Sequence, residues 1–111
     1  MKYDIYFTDL THMGVGINSK AFPLSIGILA AYTAKEFGDQ VQIDLFKFPD
    51  DFNTALRNKV PDFLCMSNYC FNLNLSYAFV EYVKKSHPEV IIIWGGPNFP
   101  TTPEGRKDFM I

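Results

Sequence analysis

Four short stretches of the chain are dense in β-branched and aromatic residues, and the segments between them carry apolar residues at helical spacing. The strands this pattern predicts are Tyr3–Thr8, Val41–Phe46, Phe63–Ser67 and residues 90–94. The last two are continuously apolar, which predicts strands buried on both faces and a parallel sheet covered by helices. The first helix follows Pro23, runs from Leu24 to Phe37 and stops at Gly38. It is apolar nearly all round, with Ile26, Ile28 and Leu29 on different sides, and Gly27, Ala30, Ala31 and Ala34 give it a small-residue surface suited to close packing. The second helix is expected to be capped by Asp50 or Asp51, to turn Phe52, Ala55 and Leu56 inward and to end at Pro61. A third begins near Asn72 or Asn74, with an apolar stripe of Leu75, Ala78, Phe79, Tyr82 and Val83.

Strand and helix thus alternate three times before a fourth strand. With right-handed crossovers this is an α/β fold: a flavodoxin- or Rossmann-like open parallel sheet with helices on both faces, in the strand order two, one, three, four. Residues 101–104, Thr-Thr-Pro-Glu, read as the cap and first turn of a fourth helix. A fifth strand is expected beyond Ile111, so residues 1–111 read as one domain taken from a larger protein. Strand four is then an edge through which copies can associate.

Composition narrows the function. Ten Lys and Arg stand against twelve Asp and Glu, a net charge of −2, which argues against a nucleic-acid partner or a membrane surface. The longest apolar run, residues 90–94, is far too short to span a bilayer, and the amino terminus has no signal-peptide anatomy. Two cysteines make no disulfide framework, and a reduced, cytoplasmic protein is expected.

In such sheets ligands bind beyond the carboxyl ends of the strands, where strand order reverses. Three segments should meet there: the long loop from Asp9 to Lys20 with Leu10, Thr11 and His12, then Ser67 to Asn72 with Ser67, Asn68 and Tyr69, then Gly95 to Pro100 with Gly95, Gly96 and Pro97. Two glycines at a strand end let a ligand approach backbone amides. Ser67 and Asn68 offer polar groups that either bond a ligand or cap the next helix. Gly14-Val15-Gly16 lacks the third glycine and the immediate helix of a dinucleotide fingerprint, and no Walker lysine motif is present. Asp9 stands without the acidic neighbour of a phosphoacceptor site. Cys65 and Cys70 have no companion ligands for zinc or a cluster, and His87 before Pro88 reads as a helix-end residue. No nucleophile, base and orienting group occur together, so no catalytic or metal-ligating residue is assigned.

Phe22-Pro23-Leu24-Ser25-Ile26-Gly27-Ile28-Leu29-Ala30-Ala31-Tyr32 resembles the first helix of the amino-terminal cobalamin-binding domain of cobalamin-dependent radical SAM enzymes. Pro61-Asp62-Phe63-Leu64-Cys65-Met66-Ser67 resembles that family's third strand. The run from Tyr82 through Gly95-Gly96-Pro97 to Thr102-Pro103-Glu104 resembles its fourth strand and following turn. The resemblance implies cobalamin as cofactor, held over the carboxyl edge, its nucleotide tail descending between first helix and sheet beside Gly27, Ala30, Ala31 and Ala34. It implies binding by Ser25, Ser67, Asn68, Tyr69, Gly95, Gly96 and Pro97, with Leu10, Thr11 and His12 facing the corrin. The Asp-x-His-x-x-Gly signature of an axial histidine is absent, so His12 is not assigned to cobalt. The Cys-x-x-x-Cys-x-x-Cys motif is absent too, so S-adenosylmethionine, a 4Fe-4S cluster and the chemistry, methyltransferase-like, are expected in a carboxyl-terminal radical SAM domain of the same polypeptide. The alternatives are a flavodoxin-like domain binding a flavin or other nucleotide, and a non-binding interdomain module.

Overall fold

Alternation along the first strand divides the molecule into two layers. In the computed structural model, which describes residues 2–10, 24–67, 73–95 and 102–110, the elements are β1 (Tyr3–Thr8), α1 (Leu24–Phe37), β2 (Val41–Phe46), α2 (Pro49–Asn58), β3 (Phe63–Ser67), α3 (Leu73–Ser86), β4 (Ile91–Gly95) and α4 (Pro103–Met110). The sheet is parallel throughout, in the order β2-β1-β3-β4. Ile5 and Phe7 of β1 join Ile26 and Ala30 of α1 in one core. Tyr6, on the other face, joins Leu10, Phe52, Leu56, Leu64, Met66, Val83 and Val90 beneath α2 and α3. Helices therefore cover both faces, but unequally.

The second core is the better closed. Phe52 is completely buried, its ring 4.7 Å from that of Phe79 and 5.4 Å from that of Phe46. Tyr6 stacks edge-on to Phe46 and donates its hydroxyl to the Lys59 carbonyl at 2.9 Å. Burial, then Asp44 and Asp4, raise the Tyr6 pKa, so the phenol remains a donor. At the amino edge the Asp4 and Asp62 strand ends are stitched together: the Asp4 amide donates to Asp62 Oδ2 and the Asp62 amide to the Asp4 carbonyl, both at 2.8 Å.

Several local expectations are corrected. α2 starts at Pro49, whose fixed φ suits a first helical position, so Asp50 and Asp51 fall inside the first turn and neither caps it. It ends at Asn58, ahead of Pro61, because Lys59 is already extended and salt-bridged to Asp4 at 2.8 Å. In α3 the inward set is Leu75, Ser76, Phe79, Val80 and Val83, while Ala78 and Tyr82 face solvent. β4 begins one residue late, since the Val90 amide is held in a turn by the His87 carbonyl. β4 is also not buried on both faces, with Ile91 and Ile93 each about half exposed. The expected stop at Gly38 is present, with φ +52°, and the turn before α4 is capped by Thr102, whose hydroxyl accepts from the Gly105 amide. Among the described residues no helix is long and apolar enough to cross a membrane.

Phe52→Ala removes a ring from a site with no solvent access and should cost about 3–5 kcal/mol in urea unfolding. Tyr82→Ala, on the exposed side of α3, should cost about 0.5 kcal/mol or less.

Candidate cofactor site

Because every strand runs the same way, each strand-to-helix connection leaves at the carboxyl edge. Three of the four strand ends meet there within one rung. The Ser67 hydroxyl donates to Asp9 Oδ1 at 2.8 Å, linking the end of β3 to the residue after β1. Ser67 lies in register with Gly95 at the end of β4. The Asp9 amide donates to the Phe46 carbonyl at 3.0 Å, which ties in β2 as the fourth. This gives a polar rim of Asp9 and Ser67 with a residue lacking a side chain beside it. Among the described residues, a Cβ on Gly95 would meet nothing within 4 Å.

The sequence-derived candidates separate on this framework. Ser67 and Gly95 stand together on the rim. Leu10 is buried in the core under α2 and α3, where it anchors the chain leaving β1. Ser25 lies in the first turn of α1. Thr11, His12, Asn68, Tyr69, Gly96 and Pro97 lie outside the described residues. Of the small residues on α1, Ala30 is buried against the sheet and Gly27 half-buried. Ala31 and Ala34 are exposed, which corrects the expectation that all four share the sheet-facing side.

Directly below the rim lies a feature whose lining was not singled out from the sequence. A trough of about 430 Å³ opens on the α1 side of the sheet. Its floor is Tyr3, Ile5 and Phe7 of β1 with Phe63 and Cys65 of β3 and Ile93 of β4. The carboxyl-terminal half of α1, through Thr33 and Phe37, forms a wall. The β1–α1–β2 crossover lays α1 over β1 and β2, and among the described residues the β3–β4 half of that face is left partly exposed, as at Ile91 and Ile93. Phe7, Cys65 and Ile93 each sit two residues before Asp9, Ser67 and Gly95 along their strands, so rim and trough are successive rungs of one surface. The period-two alternation of β1 and β3 is the signal that could have found these floor residues.

The trough is weakly polar and partly open to solvent. Burial pushes the Cys65 thiol from 9.0 up to about 11, because the thiolate would be charged among apolar neighbours. Thr33, Gln40, the Tyr3 hydroxyl and the Cys65 thiol are the polar groups of a mostly apolar lining that has no charged side chain. Among the described residues no three His, Cys, Asp or Glu are grouped to hold a metal ion. The arrangement offers hydrogen bonding at the rim and an uncharged, ring-lined space beneath.

No protein-family model matches the chain. A similar protein is the 2-(S-pantetheinyl)-carbapenam-3-carboxylate methyltransferase of Streptantibioticus cattleyicolor, 29% identical over 94 residues. That stretch covers 80% of this chain and 14% of the methyltransferase, so the chain spans a small part of the relative it matches.

Proposed function

We propose that this chain is the cobalamin-binding module of a radical SAM enzyme, and that the parent enzyme is a methyltransferase in which cobalamin relays a methyl group. The observation that carries this reading is the apolar trough of about 430 Å³ opening one rung below a polar rim. That volume lies in the range of small-molecule sites. The uncharged aromatic base of a nucleotide tail suits a floor containing Phe7, Phe63 and Cys65. Ser67 and the backbone at Gly95 would meet the more polar part of the tail, and the corrin would lie above the rim; Leu10, expected to face it, is instead buried in the core under α2 and α3. When bound, cobalamin supplies a cobalt centre able to carry a methyl group. This chain's residues bind and orient the cofactor and exclude water from its tail. Cleavage of S-adenosylmethionine at a 4Fe-4S cluster is assigned to a radical SAM domain of the same polypeptide. The methyltransferase similarity agrees with this assignment in reaction class.

Hydroxocobalamin should quench the fluorescence of Trp94, the single tryptophan, and acquire a base-off absorption spectrum. Cobinamide, which lacks the nucleotide tail, should bind at least about tenfold more weakly, a difference of about 1.4 kcal/mol. Cys65→Phe, which places a ring in the trough, should weaken cobalamin by a similar factor while leaving the circular dichroism unchanged. Binding of flavin mononucleotide but not cobalamin would overturn the reading, as would equal affinity for cobalamin and cobinamide.

Cys65 supplies an independent check in a Cys70→Ser background. Its alkylation rate near pH 8 should be about a hundredfold below that of an ordinary thiol and should rise toward pH 11, and cobalamin should slow it further. Folding holds this proton more tightly than the unfolded chain does. Stability from this group is therefore complete below pH 9 and falls as pH rises from 9 toward 11. Cys65→Ala should remove that part of the alkaline slope in pH-dependent urea unfolding.

A further inference from the structure

We propose that Lys47 binds the phosphodiester of the cofactor's tail, an inference that rests on the cobalamin reading above and adds to it the positive charge that the phosphate calls for. The first observation is register. Thr8 stands opposite Phe46 on one side and Met66 on the other, and the Asp9 amide is bonded to the Phe46 carbonyl. The next row across the sheet is therefore Lys47, Asp9, Ser67 and Gly95, one residue from each strand end. Strand alternation places this row on the α1 side. Ile43 of β2, Phe7 of β1 and Cys65 of β3, two or four residues earlier, all pack in the α1 core. Lys47 thus shares a row with the polar rim, on the face that holds the trough.

The second observation is how the side chain is held. Lys47 is half-buried, and its Nζ lies 5.5 Å from the centroid of the Phe48 ring, whose π face attracts an ammonium. The third is the distribution of charge. The other basic side chains described on α1, α2 and α3 are Lys35, Arg57, Lys84 and Lys85, all in last turns. Those turns lie at the amino edge, because each helix runs back against the strands. In the rim row Lys47 is the cation and Asp9 the anion, and Asp9 Oδ1 already accepts from the Ser67 hydroxyl. Neighbouring strands are about 4.8 Å apart, so a group above Asp9 and Ser67 lies within reach of a lysine stem rooted one strand away. One ammonium matches the single charge of a phosphodiester. A terminal phosphate brings up to two charges, and the second would face Asp9. Lys47 and Asp9 together therefore select a phosphate that is esterified on both sides.

Lys47→Met keeps the length of the side chain and removes its charge. It should weaken hydroxocobalamin about tenfold, the loss of one charge-assisted hydrogen bond at a partly exposed site, and leave cobinamide, which has no phosphate, within about twofold. Lys47→Arg should keep cobalamin affinity within about threefold, because it keeps the charge. Raising sodium chloride from about 0.05 M to about 0.5 M should weaken cobalamin more on the wild type than on Lys47→Met. Both variants should keep the wild-type circular dichroism. If Lys47→Met binds cobalamin as the wild type does, or loses cobinamide to the same extent, the assignment of Lys47 is overturned while the cobalamin reading stands. A wild type that binds neither corrinoid, or both alike, overturns that reading and the assignment with it.

Discussion

The pairing of β1 along both of its edges, in parallel and in register, is the constraint from which the rest of the molecule follows. Tyr6 lies between Asp44 of β2 and Leu64 of β3, and Phe7 between Leu45 and Cys65. A slip of one residue would exchange Ile5 and Phe7 with Tyr6 and Thr8 and turn each core inside out. Parallel direction then dictates right-handed crossovers, which send every strand-to-helix connection to the same edge. The Asp9–Ser67 hydrogen bond is therefore a consequence of topology, joining residues 58 apart in the chain.

Unequal coverage follows from the same constraint. Reversal of strand order after β2 puts α1 on one face and α2 and α3 on the other. The two-helix face closes completely: Phe52 and Leu64 have no exposure. The one-helix face leaves large apolar side chains half in water.

Much of this was legible in the chain. Period-two and continuous apolar runs located all four strands, β4 to within one residue, and Gly38 marked the end of α1 through a backbone conformation that suits glycine. What failed was local competition and global coverage. Pro49 displaced Asp50 and Asp51 from the cap because a fixed φ outweighs a side-chain hydrogen bond there. Apolar continuity in β4 was read as burial on two faces, but continuity reports which residues tolerate burial and says nothing of whether a helix is present to cover them. Ser67 and Gly95 could be placed on the rim because strand ends are countable. The trough could not, since it depends on how far α1 reaches across the sheet.

The order of polarity in this site decides what kind of ligand enters it. A molecule arriving at the carboxyl edge meets Ser67 and Asp9 first and Phe7, Phe63 and Cys65 after. Its leading end must be apolar and uncharged, because the desolvation that drives the Cys65 thiol up to about 11 penalises any anion at the same depth. A ligand that leads with a phosphate is disfavoured on that ground. Flavin mononucleotide could lead with its ring, but its terminal phosphate, with up to two charges, would then rest beside the Asp9 carboxylate. A phosphodiester within a longer tail carries one charge, and an aromatic base at the tail's end supplies the uncharged leading group. The rim and trough together thus favour an apolar-ended tail over a terminal phosphate, and the preference rests on desolvation and like-charge repulsion at Cys65 and Asp9.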